Sequence, residues 1–248
     1  MIPSRYGSTR FPGKPLIDLA GVPMVVRVAR QAAAIGARVV VATDDPRIEA
    51  VVNTAGFEVV MTPPECASGT DRVALAIDRL GIRDARLVIN VQGDEPLIDP
   101  EDLRALAEET LASGAPMGTL ARPLDLARFQ APNAVKIARA ADGRALYFSR
   151  APIPHGSSAP LLHVGIYAYT PDTLRRLAAL PPSPLEITER LEQLRALEAG
   201  IPIYVAHARS TLESIAIDAP EDVPRVLAAL SERASLTQQQ PRSSHATR

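Results

Sequence analysis

The sequence predicts an α/β protein in which a mostly parallel sheet carries helices on both faces and a small β-rich subdomain is added. Three runs rich in β-branched residues, at 38–42, 58–61 and 86–91, alternate with helical segments in the first half. Such alternation is typical of βαβ units and favours parallel strands. With 248 residues, of which 46% are hydrophobic, the chain can bury one large core.

Helices are expected between and after these runs, beginning near Pro46, near Thr70 and after Asp99. Ser68 is expected to start the second helix, because its hydroxyl can satisfy free backbone N–H groups of a first turn. From residue 114 to 169 the pattern changes. Short β-like runs separated by Pro and Gly lie at residues 117–121, 134–138, 146–149 and 164–169, and they predict a β-rich insertion.

Helical periodicity returns at residues 172–179 and 185–199, followed by a strand at 201–206 and a helix that starts near Pro220. The chain then becomes polar and ends in TQQQPRSSHATR. Such a segment has little apolar surface to bury. We therefore expect one domain over residues 1–232 and a disordered tail over 233–248.

Composition argues against several classes of protein. The net charge of -1 provides no field that would attract nucleic acid, so no nucleic-acid partner is expected. The single cysteine, Cys66, excludes an intrachain disulfide and a Cys-based zinc cluster, which fits a reducing, cytoplasmic location. No apolar run reaches 18 residues and no signal-peptide pattern opens the chain, so we expect no membrane association.

A basic loop, SRYGSTRFPGKP, occupies residues 4–15. Its glycines would let backbone N–H groups approach phosphate oxygens, and its cations, Arg5, Arg10 and Lys14, would neutralise a polyanion. The loop is not a Walker A motif, because Pro15 stands where that motif has its hydroxyl. A dinucleotide fold is disfavoured because no G-x-G-x-x-G is present. The alternative interpretation is a solvated basic turn.

Only three residues precede this loop, whereas a phosphate-binding loop normally follows a β-strand. We expect that the start of this sequence is trimmed or mis-assigned; the alternative is a sheet that lacks its first strand.

Two carboxylates are candidates for a magnesium site. Asp94 directly follows a predicted buried strand, at the edge where open α/β sheets bind ligands. Mg²⁺ prefers one or two protein carboxylates together with phosphate oxygens and water, and Asp218 is the second candidate. The alternatives are a turn carboxylate for Asp94 and a helix N-cap ahead of Pro220 for Asp218.

Eight motifs occur in a fixed order: RYGSTRFPGKPL, MTPPECASGTDR, NVQGDEP, PNAVKI, ALYFSRAPIP, HVGIYAY, SPLEITERLEQLRALEAG and IDAPEDV. Over about residues 2–230 the chain resembles the 3-deoxy-manno-octulosonate (Kdo) cytidylyltransferase family. The resemblance implies a nucleotidyltransferase (Rossmann-like) fold and transfer of CMP from CTP to Kdo for lipopolysaccharide biosynthesis. It also implies magnesium dependence and a homodimer.

The resemblance also implies roles for individual residues. Lys14, Arg10 and Asp94 would be catalytic, and Asp94 and Asp218 would hold magnesium. The nucleotide would contact Arg5, Ser8, Arg10, Lys14, Ser68, Gly69, Thr70 and Arg72. The sugar acid would contact Gln92, His163, Tyr167, Glu189 and Gln193.

Several of these residues have structural alternatives. His163 is otherwise typical of a satisfied structural histidine and Tyr167 of a core residue. Glu189 and Gln193, at i and i+4, would share one helix face and could be solvated. We expect Glu192 and Arg195 to be solvated.

The chain departs from the family pattern at three positions. Cys66 replaces a common His, and Ala216 and Ala219 replace a Gly and a Thr beside Asp218. No His or acid pattern supports Cys66 as a nucleophile. The rival hypotheses are an 8-amino-Kdo or sialic-acid acceptor, an inactive nucleotide-binding regulator, and a scaffold.

Overall fold

The computed structural model describes residues 1–7, 11–212 and 214–239. Its strands are β1 (Ile2–Ser4), β2 (Asp18–Leu19), β3 (Val22–Pro23), β4 (Val40–Thr43), β5 (Glu58–Met61), β6 (Val88–Asn90), β7 (Met117–Pro123), β8 (Lys136–Arg139), β9 (Ala145–Ser149), β10 (Leu161–Tyr169) and β11 (Ile203–His207). Its α-helices are α1 (Met24–Ala33), α2 (Pro46–Thr54), α3 (Gly69–Arg79), α4 (Pro100–Ser113), α5 (Pro171–Ala178), α6 (Pro184–Glu189), α7 (Gln193–Glu198) and α8 (Val223–Gln239).

Two sheets form the centre of the molecule. Strands β1, β4 and β5 form a parallel sheet in that order, with Ile2 opposite Val41. The second sheet has the order β11-β7-β10-β8-β9, and β6 pairs antiparallel with β10. Backbone hydrogen bonds of 2.8 and 3.0 Å connect Met1 to Ile89 and Val91 and join the two sheets. The predicted α/β class, with its parallel sheet, is confirmed.

The predicted β-rich region, residues 114–169, contains four strands. β7, β8, β9 and β10 lie within or close to the four predicted runs. They pair antiparallel with each other, and the sheet is extended by β6 on β10 and by β11, which is parallel to β7. The insertion is therefore continuous with the strands around it.

A strand does precede the basic loop. β1 is buried, and it pairs with the C-terminal part of the β4 ladder. The alternative that the sheet lacks its first strand is wrong. Because β1 and β4 are parallel, their carboxyl ends meet at one edge, and the basic loop leaves from that edge.

Helices cover both faces of the sheets. α1, α2 and α4 pack on one side in a core with Ile2 and Val41, while α3, α5 and α7 pack on the other with Met117 and Val205. Successive residues of β11 face opposite cores, as Val205 and Ala206 do. Within the described residues, no helix has the length and apolar character needed to cross a membrane.

Two predictions about helices need correction. The predicted helix over residues 185–199 is broken, because Arg190 adopts a left-handed conformation with φ 54° and ends α6. Glu189 and Gln193 therefore lie on different helices instead of sharing one face. Residues 233–239 belong to α8, so the predicted disordered tail is wrong for them, while residues 240–248 lie outside the described residues.

Candidate active site

A pocket of about 260 Å³ opens at the carboxyl ends of β1 and β6. Its walls come from the basic loop, the start of α3, the segment after β6, and residue 218. Eight residues predicted from the sequence line it, namely Arg5, Lys14, Ser68, Gly69, Arg72, Gln92, Asp94 and Asp218. The edge of the sheet thus brings together residues that are up to 213 positions apart in the sequence.

Lys14 lies between the two candidate metal-binding carboxylates. Its Nζ donates to Asp94 Oδ2 at 2.8 Å and to the Ile217 carbonyl at 2.8 Å, and it is 3.7 Å from Asp218 Oδ1. The Ile217 N–H donates to the Asp94 carbonyl at 2.9 Å, which fixes the Asp218 segment beside Asp94. One ammonium therefore holds two carboxylates that would otherwise repel each other.

The two carboxylates suit a hard cation. The side chains of Asp94 and Asp218 are 29% and 52% exposed, so both retain access to the pocket. In the described part of the chain, no group of three or more His, Cys, Asp or Glu side chains forms a metal cluster. Two carboxylates that meet at one cation match the small protein share of a Mg²⁺ shell completed by phosphate and water. Asp218 is not a helix N-cap, because Ala219 holds that position.

A buried carboxylate on α4, which the sequence analysis missed, anchors the segment that leads to Asp218. Asp102 Oδ1 accepts from the N–H groups of Arg209 and Ser210 at 2.8 Å, and its Oδ2 accepts from Arg122 at 2.9 Å. Arg122 also donates to the Leu212 carbonyl at 2.8 Å. The contacts of Asp102 with Arg209 and Ser210 span more than 100 positions, so no local pattern in the sequence indicates them.

The start of the basic loop is held by a second missed residue, Asp44. Asp44 Oδ1 accepts from the Tyr6 N–H at 3.2 Å, and Oδ2 accepts from Arg72 at 3.1 Å. Arg72 is buried and also donates to Thr62. Although Arg72 lines the pocket, these contacts make it a support for the loop. The signal for Asp44 was its position directly after β4, at the same edge as Asp94.

Tyr6 connects the start of the basic loop to its end. Its carbonyl accepts from the Gly13 N–H at 3.0 Å, and its ring lies 3.5 Å below the guanidinium of Arg47. Gly13 has φ 74°, and a Cβ added there would lie 3.1 Å from the Tyr6 hydroxyl oxygen, so a side chain would be strained and crowded. The predicted nucleotide contacts Ser8 and Arg10 lie outside the described residues and stay predictions.

Comparison with known proteins adds the family. A family model described as Cytidylyltransferase matches residues 1–215. The 3-deoxy-manno-octulosonate cytidylyltransferase of Anaeromyxobacter dehalogenans (strain 2CP-C) is 50% identical over 238 residues, which is 93% of this chain and 96% of the relative. That of Yersinia enterocolitica (serotype O:8 / biotype 1B) is 47% identical over 242 residues, covering 92% and 96%. This chain belongs to the 3-deoxy-manno-octulosonate cytidylyltransferase family.

A solved structure leads to the same family. CMP:2-keto-3-deoxy-manno-octonic acid synthetase, complexed with CTP, matches with a TM-score of 0.87 and 39% identity. The match covers 94% of this chain and 97% of the solved one. The family and the nucleotidyltransferase fold that the motifs predicted are confirmed.

The residues expected at the sugar acid lie in two places. Gln92 lines the pocket, whereas His163, Tyr167, Glu189 and Gln193 are not among the described residues that line it. Tyr167 contacts both His163 and Tyr169, with ring centroids 5.5 and 6.0 Å apart. His163 Nε2 is 3.1 Å from Thr119 Oγ1, and burial lowers the pKa of His163 to about 3, so its imidazole is neutral at pH 7.

The other two expected sugar contacts surround a turn at the start of α7. Glu189 accepts from Ser149 Oγ at 2.6 Å and from the Arg150 N–H at 2.9 Å. Gln193 is buried, and its Nε2 has no hydrogen-bond partner among the described residues. Glu189 is therefore occupied by protein groups, while Gln193 keeps donors for a ligand or water.

Glu192 and Arg195 are not solvated, contrary to the prediction. Arg195 is buried, and its Nε donates to Glu186 at 2.7 Å. Glu192 Oε1 accepts from Ser68 Oγ at 3.2 Å. Burial raises the pKa of Glu192, and its hydrogen bond with Thr70 opposes that change. Thr70, a predicted nucleotide contact, is buried behind Ser68 and does not line the pocket.

Proposed function

We propose that this chain transfers CMP from CTP to the anomeric hydroxyl of Kdo in the pocket between the basic loop, Asp94 and Ser68. The observation that carries the proposal is the group formed by Lys14, Asp94 and Asp218 at the carboxyl edge of the sheet. The names of the relatives and the CTP complex of the structural neighbour support both substrates.

The reaction is an in-line displacement. A bond forms between the anomeric oxygen of Kdo and the α-phosphorus of CTP, and the bond from that phosphorus to the bridging oxygen breaks. Its electron pair leaves with pyrophosphate, and the hydroxyl proton passes to solvent. No covalent enzyme intermediate is needed, so positioning and charge neutralisation carry the catalysis.

The residues of the pocket divide this work. Lys14 and Arg5 place positive charge where the triphosphate binds, and this charge also meets the negative charge that develops on pyrophosphate. Gln92 lines the same pocket and offers an amide to the sugar acid.

Asp94 and Asp218 would hold Mg²⁺, since they offer two oxygen donors at one point of the pocket. When bound, the ion supplies neutralisation of phosphate oxygens and lowers the pKa of a nearby hydroxyl. In this structure the Lys14 ammonium provides the positive charge between the two carboxylates, which supports Asp94 and Asp218 as the pair that would bind a cation.

The setting of the reaction is also proposed. The enzyme acts in the cytoplasm as a homodimer, without nucleic acid, and supplies activated Kdo for lipopolysaccharide biosynthesis. The single cysteine and the net charge of -1 agree with that setting. Exposed Leu146, on the edge strand β9, supports the homodimer because an apolar edge favours pairing with a second chain.

The acceptor is tested by product analysis. Purified protein is given CTP and Mg²⁺ with Kdo, 8-amino-Kdo or sialic acid in parallel, and the nucleotide sugar is identified by mass spectrometry. We expect CMP-Kdo as the main product. A larger rate with 8-amino-Kdo or sialic acid would contradict the proposed acceptor and leave CMP transfer standing.

A further inference from the structure

A carboxylate to which the reaction above assigns no role lies beside Ser68, one of the residues that line the pocket. Glu192 lies between α6 and α7 and faces the first turn of α3. Its Oε1 is 3.2 Å from the hydroxyl of Ser68, and it is also hydrogen-bonded with Thr70. Ser68 lines the pocket, so Glu192 is one hydrogen bond away from the pocket wall.

The hydrogen bonds of Ser68 define what its hydroxyl can offer. Ser68 Oγ accepts from the Asp71 N–H at 3.1 Å, and its proton points to Glu192. A hydroxyl has one proton and two lone pairs, whereas an ionised carboxylate only accepts. With the proton and one lone pair committed, a single lone pair remains for the pocket.

Thr70 provides a second hydroxyl that is hydrogen-bonded with Glu192. It is hydrogen-bonded with both Glu192 and Tyr169 and is itself buried. As long as Glu192 is ionised, hydroxyls on two sides donate toward it. The direction of the Ser68 hydrogen bond is therefore set by Glu192 and not by Ser68 alone.

We propose that Glu192 is a positioning residue that holds the Ser68 hydroxyl as a hydrogen-bond acceptor, so that this wall of the pocket selects a hydrogen-bond donor on the nucleotide. The inference rests on the proposed function. Since Lys14 and Asp94 hold the phosphate end, the donor belongs to the nucleoside, as either the amino group of the base or a ribose hydroxyl.

The direct test is equilibrium binding of CTP by calorimetry, without an acceptor sugar. Glu192→Gln removes the charge and the acceptor-only character at nearly constant size, and we expect CTP to bind about fivefold more weakly. The matched control on α7 is Glu198→Gln, because Glu198 is exposed and its contact with the Leu185 N–H survives as a bond to an amide oxygen. Unchanged affinity in Glu192→Gln would overturn the inference.

A double-mutant cycle separates positioning from a general loss of structure. Ser68→Gly removes the hydroxyl while keeping a residue tolerated at an N-cap, so α3 keeps its start. If Glu192 acts through Ser68, adding Glu192→Gln to Ser68→Gly weakens CTP binding no further. Losses that multiply in the double variant would show independent effects and contradict the inference.

Two further nucleotides identify the donor. UTP lacks the amino group of the base, and dCTP lacks the ribose 2′-hydroxyl. A smaller preference for CTP over UTP in Glu192→Gln identifies the amino group, and a smaller preference over dCTP identifies the hydroxyl. If neither preference changes, Ser68 is not held as an acceptor and the inference is overturned.

The pH dependence of CTP affinity is a further readout that a purely structural role would not change. Burial raises the pKa of Glu192, Asp71 adds to this, and Arg195 and the two hydroxyls oppose it; Tyr167 and Tyr169 face it from β10. At low pH, protonation of Glu192 removes the carboxylate that accepts the hydrogen bond from the Ser68 hydroxyl. The affinity of the wild type should therefore fall toward low pH more steeply than that of Glu192→Gln, and parallel profiles would contradict the inference.

Binding and turnover together distinguish failure of the inference from failure of the proposed function. If wild-type protein binds CTP and forms no nucleotide sugar, the proposed function fails while the comparison of variants remains decisive. If it forms CMP-Kdo and Glu192→Gln binds CTP as the wild type does, only the inference fails.

Discussion

At the scale of single residues, the pocket depends on charges that compensate one another. Asp94 and Asp218 belong to segments more than 120 positions apart; the hydrogen bond from the Ile217 N–H to the Asp94 carbonyl joins these segments, and Lys14 compensates both carboxylates. Sequence reasoning predicted this trio from position and family pattern. It missed Asp44, although that residue directly follows β4, and it could not predict Asp102, whose partners are brought together by the fold and not by spacing.

The carboxylate pair gives the first prediction. Asp94→Asn and Asp218→Asn keep size and remove one negative charge each, so the Mg²⁺ concentration for half-maximal turnover should rise and kcat should fall about 10²-fold. Initial rates over a magnesium titration measure both. Exposed Glu221 on the neighbouring turn provides the control, Glu221→Gln, which should behave as the wild type. Near-normal turnover of either Asn variant at low magnesium would contradict the metal role.

His163 gives a prediction on stability against pH. Burial lowers the pKa of His163 in the folded protein to about 3, below the ordinary value of 6.5. The neutral imidazole therefore contributes fully to the free energy of unfolding above pH 6.5, and this contribution is lost as pH falls toward 3. His163→Gln keeps a hydrogen-bond partner for Thr119. As pH falls below 6.5, the free energy of unfolding of this variant should fall less steeply than that of the wild type, with a difference in slope of about 1.4 kcal/mol per pH unit. Urea unfolding at pH 7, 6 and 5 measures the slopes, and equal slopes would contradict a buried neutral imidazole.

At the scale of elements, the sequence predicted helix ends that a capping residue marks and missed those that no capping residue marks. The start of α3 was predicted from Ser68, and the structure has a full capping box there with Asp71. The break at Arg190 was not predicted, because a left-handed arginine carries no Gly or Pro signal and the periodicity continues across it. α1 was also missed: its N-cap is Pro23 without a side-chain hydrogen bond, and its valines favour strands.

The contact between β1 and the segment after β6 gives a prediction for an element. A Cβ added to Gly93 would lie 2.7 Å from the Pro3 carbonyl oxygen, and backbone cannot move aside cheaply. Gly93→Ala should therefore lower the free energy of unfolding by about 2 kcal/mol and reduce turnover, because Asp94 follows directly. Gly165→Ala on β10, which meets open space, is the control in urea unfolding. Wild-type stability and turnover in Gly93→Ala would contradict the close packing.

At the scale of the whole molecule, the α/β class followed from the alternating pattern of the first half. The antiparallel pairing of β10 with β6, β7 and β8 did not, because these pairs join distant segments and no periodicity encodes a partner. The alternating pattern therefore predicted the strands from β4 onward and the parallel pairing of β4 with β5 across α2, but it missed β1 and the antiparallel pairing of β6 with β10.

The homodimer is a prediction at this scale. Leu146 is 58% exposed on β9, the last strand in the order of its sheet. Wild-type protein should sediment at twice the 26.5 kDa chain mass, and Leu146→Lys should shift it toward the monomer. Leu227→Lys, at an exposed site on α8, should leave the mass unchanged. A monomeric wild type would contradict the homodimer, and a dimeric Leu146→Lys would exclude β9 as its interface.

The most direct test of the central claim is pyrophosphate release from CTP and Mg²⁺, with and without Kdo, by the wild type and by Lys14→Ala. Removing Lys14 leaves two carboxylates unneutralised and takes a cation from the leaving group. We expect Kdo-dependent release by the wild type and a rate at least about 10²-fold lower in Lys14→Ala, while Arg38→Ala, on the exposed Glu58 pair, behaves as the wild type. No release with Kdo, or equal rates in Lys14→Ala and the wild type, would contradict CMP transfer in this pocket.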